Sequence, residues 1–293
     1  MRIRQSSLSS YGRCAQQKKL DDLAGQGIGP RRSNLSRTVY GTVMHHALQT
    51  LESDYHAGSG TALERAKSTF AYYWMPDNLP ELAALGNAEL VHGIDEWLPR
   101  DTYGGMRSRG LKALEDYYDL LTSDDGQLLA LELFFEVPID LEEMGQHTLS
   151  GTVDRLAIRR FKAKPYLSIE DFKTGKQPPW LRYSVQWTVY SYAARHLEFW
   201  QPWGDQAEER WQTYLGWAHR GTWIDIRLNK RVDAGWRSEQ DYARLKVALK
   251  EYVKAVEADI YPLTLTGETC LYCPFKKTCG GVPVPDEDAG KPA

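Results

Sequence analysis

Apolar positions in the first third of the chain recur at helical spacing. Val39, Val43, Ala47, Leu48 and Leu51 share one face of a 3.6-residue period, which predicts a helix over residues 38–55. Residues 61–123 continue in the same mode, as further helices broken at "MPDNLP" (75–80) and "YGGM" (103–106). The period then changes. "LLALELFFEVPI" (128–139), "HTLSGTVDRLAI" (147–158) and "PYLSIEDFK" (165–173) carry apolar runs or alternation in β-formers, separated by Gly, Pro or charged breaks, and predict strands. "SVQWTVYSYAARHLEFW" (184–200) returns to helix. "RWQTYLGWAHRGTWIDIRL" (210–228) predicts a hairpin turning near Arg220-Gly221, and a long helix is expected over about 235–260, ending before Pro262.

Helices, a meander of strands, a crossover helix and more strands describe a mixed α/β core with a helical insertion. The 293 residues permit one large domain or two modest ones. Without a linker or repeat, a single domain over 1–281 is expected, with the insertion at about 56–125. The tail "VPVPDEDAGKPA" (282–293) has no apolar face and is expected to be disordered. A net charge of −3 gives no overall basic field, so a nucleic-acid partner would need a local basic cleft. The N-terminus has no apolar core of a signal peptide and no run reaches about 18 apolar residues. A cytoplasmic protein without a membrane partner is expected.

Three stretches hold polar residues that strand and helix packing do not require. Asp154 interrupts an apolar strand in "VDRL", and in "IEDFKTGK" Asp171 and Lys173 stand two apart, hence on one face of a strand. Two carboxylates and a lysine at one strand end make either a surface ion pair with a strand-end aspartate or a divalent-metal site with an electrostatic partner. In "YGTVMHHAL" (40–48) His45 lies in the first turns of its helix, while His46 points about 100° away and cannot face the same ion. Gln186 and Tyr190 share a helical face at i and i+4.

Cysteine is scarce, with three of four in "ETCLYCPFKKTC" (268–279) and the fourth, Cys14, near the other end. Reduced thiols in a cytosolic protein favour metal over disulfides. Four thiolates suit an iron–sulfur cluster or zinc, and spacing alone leaves both open.

Taken in order, "GTVMH" (41–45), "GTVD" (151–154), "DFKTG" (171–175) and "QWTVY" (186–190) resemble the PD-(D/E)xK nucleases of the RecB-like group. Cys14 in "SYGRC", followed distantly by Cys-x2-Cys-x5-Cys, is similar to the iron–sulfur subgroup that includes the CRISPR-associated Cas-four exonucleases and AddB-type nuclease domains. The resemblance implies a restriction-endonuclease-like mixed sheet flanked by helices. It implies Mg2+ or Mn2+ held by His45, Asp154, Asp171 and the carbonyl of Phe172, with Lys173 polarising water and phosphate, and Gln186 and Tyr190 completing the pocket. It further implies a [4Fe-4S] cluster on Cys14, Cys270, Cys273 and Cys279, clasping segments 9–20 and 267–281. Ala15 departs from the Pro common after the first cysteine. The implied activity is exonucleolytic hydrolysis of single-stranded DNA ends in recombination, repair or CRISPR adaptation, with proteins of those processes or a second copy as partners. A non-catalytic subunit that binds DNA ends or protospacers is the alternative. Arg155, Lys176 and Arg182, with Arg159 and Arg160, are candidates to grip the DNA backbone, and Trp180 and Trp187 to stack on bases.

Overall fold

The structure, a computed structural model, describes residues 1–84, 93–179, 181–197, 213–264, 269–270 and 272–279. The chain opens with β1 (Arg2–Arg4), α1 (Gln5–Arg13) and α2 (Ala15–Gly25). Next come α3 (Ser36–His56), α4 (Ala62–Tyr73), α5 (Leu79–Ala84) and α6 (Tyr103–Thr122). The meander is β2 (Gln127–Asp140), β3 (Gln146–Phe161) and β4 (Lys164–Lys173), followed by α7 (Val185–Ala193), β5 (His219–Asp225), β6 (Lys230–Trp236) and α8 (Glu239–Glu257).

These strands form one six-stranded mixed sheet organised around β3. Strand β2 runs antiparallel along β3 from Gln127↔Ile158 to Asp140↔Gln146. The other flank of β3 is shared. Its first half pairs parallel with β1, ending at Arg4↔Ser150, and its second half pairs antiparallel with β4, beginning at Arg155↔Glu170. Between those limits, residues 151–154 have no partner on that flank. Beyond Glu170, strand β4 leaves β3 and pairs only with β5, through Lys173↔Asp225. The sheet is thus forked, with Asp154 and Asp171 on the two prongs just past the last pair.

Helices cover both faces, as a sheet with parallel pairs requires. On one face Val153 and Ile169 pack with Trp187 and Tyr190 of α7 and with Leu245 and Leu249 of α8. On the other, Phe172 and Ile224 pack beneath Val43 and Leu48 of α3, Phe70 of α4 and Leu114 of α6. The architecture is a mixed α/β sheet flanked by helices. No described helix is long and apolar enough to cross a membrane.

Several expectations shift. Arg220 and Gly221 lie inside β5, not at a turn; β5 pairs with β6, and the connection runs over residues 226–229, with Asn229 at φ 47°. The last helix starts at Glu239 because Ser238 and Asp241 form a reciprocal capping box there, leaving Gly235 and Trp236 to β6. Helix α7 is described to Ala193, and the rest of the stretch expected to 200 includes residues 198–200, outside the described set. Trp180 and the tail 282–293 also lie outside it.

Candidate active site

The fork places its charges by alternation. Along β4, Ile169, Asp171 and Lys173 point to the α7 face while Glu170 and Phe172 point to the α3 face. Asp171 is almost wholly buried. Gln186 Nε2 of α7 donates to its Oδ1 at 2.8 Å, and Lys173 forms an ion pair with its other oxygen. Asp154 reaches across the gap, its Oδ2 accepting the Phe172 N–H at 2.7 Å, so the carboxylate substitutes for the missing strand pairing. His45, from the first half of α3, stands with Nδ1 3.4 Å from that same Oδ2.

Glu132 completes the group. Register puts it opposite Asp154, since Leu131 pairs with Arg155 and Leu133 with Val153. Its backbone is left-handed in mid-strand, φ 47°, a conformation that costs a non-glycine residue roughly 1–3 kcal/mol and concentrates at functional sites. One ligand atom each from His45, Glu132 and Asp154 lie within 4.8 Å of one another. Sequence reasoning missed Glu132, although its signal, an acid inside the apolar run "LLALELFF", was the one that singled out Asp154.

Electrostatics marks the pocket as short of positive charge. Burial, then the nearby Asp154 and Asp171 charges, pushes the Glu132 carboxyl up to about 8. Burial likewise raises Asp171 to about 6, against the pull of Lys173. Burial alone would lower the Lys173 ammonium, but Asp171 and Asp154 overcome it and raise it. Gln186 also donates to the Tyr190 hydroxyl at 3.0 Å, which donates in turn to the Thr152 carbonyl at 2.8 Å. The chain Asp171–Gln186–Tyr190–Thr152 therefore ties both prongs to α7.

Two glycines of the motifs have steric reasons. A Cβ at Gly151 would stand 2.9 Å from the ring of its cross-strand partner Phe135, whose edge meets Tyr190. At Gly41 it would touch Thr174 Oγ1 at 3.4 Å, so a small residue lets α3 approach the end of β4.

The structure brings together His45, Asp154, Asp171, Lys173, Gln186, Tyr190 and the Phe172 backbone, of which the N–H is the group in use. His46 turns away, its ring against Tyr73 at 5.0 Å. The basic residues divide differently from expectation. Arg155 is fully buried, bonded to Glu52, Asp124 and Glu170, and Arg159 is bound to Asp124 and Glu170, so neither can reach a DNA backbone. Arg160 sits by the β3–β4 turn at the far end of the strand, with Nη1 3.5 Å from the Ala163 carbonyl. Arg182 is exposed and 3.7 Å from Asp233, and Lys176 is exposed on the site's side of the molecule. Trp187 is a core residue, buried beneath α7, and cannot stack on a base.

The cofactor expectation is corrected. Among the described residues the group of three or more metal-competent side chains that converges is His45, Glu132 and Asp154, not a cysteine set. All four cysteines are free. Burial pushes the Cys273 thiol up, with the other cysteines adding to the rise. The terminal segment is held by other means. Ser33 N–H donates to the Pro274 carbonyl at 3.0 Å, Phe275 is buried, and Lys276 pairs with Glu96.

The forked mixed sheet thus carries a group of side chains that could hold a metal ion, beside a lysine. The family comparison agrees: the chain belongs to the PD-(D/E)XK nuclease superfamily, whose family model matches residues 2–280. No curated protein sequence matches it significantly. Sixteen chains of solved structures match, among them the crystal structure of SSO0001, at 12% identity over 90% of this chain and 93% of that one. With a TM-score of 0.34 that likeness carries no argument about the site.

Proposed function

We propose that this chain is a divalent-metal-dependent deoxyribonuclease that hydrolyses phosphodiester bonds at single-stranded ends. The observation that carries the reading is the convergence of His45, Glu132, Asp154, Asp171 and Lys173 on one fork. One imidazole and two carboxylates fit a hard or borderline divalent ion, Mg2+ or Mn2+, with the imidazole leaning toward Mn2+. The buried excess of negative charge supports the same fit, because the charged groups that pull Asp171 back down are Lys173 and the His45 imidazole alone among the described residues. A cation held by His45, Glu132 and Asp154 would supply Lewis-acid polarisation of a phosphate and a more acidic water.

The chain's own groups do the remaining work. With its pKa raised, Lys173 keeps its proton near neutrality, so it neutralises charge growing on the phosphate and does not act as a base. Asp171 accepts from Gln186 and pairs with Lys173, which aims the ammonium. Tyr190 anchors Gln186 to Thr152 and so fixes the distance between the prongs. End specificity and a role in recombination, repair or CRISPR adaptation rest on the resemblance of the four motifs to the RecB-like group.

Digestion of end-labelled single-stranded, duplex and circular DNA with Mg2+ or Mn2+ tests the reading. Cleavage of linear single strands by the wild type, lost in Asp171→Ala while binding persists, is the expected result. Equal background in both proteins, or conversion of no substrate, would sink it and leave a DNA-binding subunit.

A further inference from the structure

The fork opens into a groove of about 1280 Å3 whose two walls come from the N-terminal segment and from the segment that follows β4. One wall is Arg4 and the polar side of α1, with Ser6, Ser10 and Arg13; the other is the segment after β4, with Lys176 and Tyr183. Lys173 and Gln186, both in contact with Asp171, line the same space, so the groove leads to the candidate site.

Its charge is positive and only partly neutralised. Lys18 pairs with Asp22 and Arg31 with Asp95, but Arg4 and Lys176, one on each wall, have no carboxylate partner among the described residues. Both are exposed. Arg13 is exposed too and, among the described residues, donates only to the Ser10 hydroxyl, at 3.3 Å. Tyr183 leaves 83% of its surface in water, and its ring meets no other aromatic ring among the described residues. Cations that track phosphates, hydroxyls that bond to them and a bare aromatic face are the parts of a single-strand binding channel, whereas a duplex hides its base faces from such a ring.

We propose that this groove is the track of one polynucleotide strand. Arg4 and Lys176 take phosphates from opposite walls, the serines of α1 hydrogen-bond the backbone, and Tyr183 stacks on an unpaired base beside the reacting phosphate. The direction of this track toward Asp171 rests on the nuclease reading.

Anisotropy of fluorescein-labelled (dT)20 in EDTA, over a salt series, tests the track with Arg4→Ala, Lys176→Ala and Tyr183→Ala. Losing one phosphate contact should flatten the slope of log affinity against log salt by about 0.7 for each of the first two. Tyr183→Ala should weaken binding about tenfold with the slope unchanged. All three sites are exposed, and matching melting temperatures establish that folding is intact. Wild-type affinity and slope in all three variants would overturn the track. Cleavage of (dT)20 by the wild type with Mn2+ separates the two readings: cleavage with unaffected variants removes the track alone, and altered binding without any cleavage removes the nuclease alone. No binding by the wild type overturns the track, and with no cleavage as well it overturns both.

Discussion

Two buried knots of charge sit back to back on the β3–β4 fork, one residue out of phase. Arg155 and Glu170, the last cross-strand pair, send their side chains to the α3 face; of their neighbours, Asp171 meets Gln186 of α7 and Asp154 meets His45 of α3. In the first knot three arginines, Arg155, Arg159 and Arg231, meet three carboxylates, Glu52, Asp124 and Glu170. Arg155 reaches Glu170 at 2.6 Å and Glu52 at 3.0 Å, and Tyr117 and His56 also bond to Glu52. In the second, Glu132, Asp154 and Asp171 have one fixed cation, Lys173, and the imidazole of His45. Burial penalises charge in both. In the balanced knot the arginines win, holding Glu170 down at about 2. In the unbalanced one burial wins and Glu132 rises to about 8. The difference teaches that the sign of the shift, not burial itself, separates a structural ion network from a site waiting for a ligand.

That contrast can be broken at its strongest point first. Asp171→Ala should cut cleavage on the order of a thousandfold while leaving the melting temperature of the metal-free protein unchanged or higher; an equal loss of stability would make the two knots alike. Arg155→Ala should do the reverse, destabilising by about 3–5 kcal/mol because it strands buried carboxylates. Denaturant unfolding measures it, and a loss near zero would show that the network is not what holds α3 to the fork.

The pH dependence of melting in EDTA should have opposite limbs. Glu170 is depressed from 4.5 to about 2, so its stabilisation is full above about pH 4.5 and is lost as pH falls toward 2. Glu132 is raised from 4.5 to about 8, so its contribution is full below about pH 4.5 and is lost as pH rises through 8. Saturating Mg2+ should remove the alkaline loss and leave the acid one; a metal-insensitive alkaline limb would contradict the ligand role of Glu132. Glu132→Gln should raise the metal-free melting temperature by a few degrees, on the order of 1 kcal/mol, and shrink the rise that Mg2+ or Mn2+ produces. The smallest effect expected is that of Tyr190→Phe, about 1 kcal/mol and a few-fold in rate, through the lost Gln186–Thr152 bridge.

Legibility in the sequence follows the same division. Period-2 and period-3.6 patterns exposed β2 to β4 and α3, and the polar intruders Asp154, Asp171 and Lys173 stood out because strands that long are otherwise apolar. Glu132 shows the same intrusion but carries no motif. Strand β1 is three residues long, too short for any period to register, and its partner in β3 lies nearly 150 residues on. Arg155 and Arg159 read as surface cations because their carboxylate partners come from α3, β4 and the loop after α6, and sequence spacing does not report such a meeting. The cysteines misled for a related reason: their spacing was legible, while the contacts that hold the C-terminal segment, Ser33 to Pro274 and Lys276 to Glu96, are ordinary ones that sequence spacing does not report.

The left-handed backbone of Glu132 has a consequence for how this protein would drift. Both its conformation and its charge work against the fold, so glycine or asparagine there relieves both at once. A laboratory population selected for heat resistance alone should lose this glutamate early, and one selected for DNA cleavage should keep it. The position is a meter of which demand the lineage has been under.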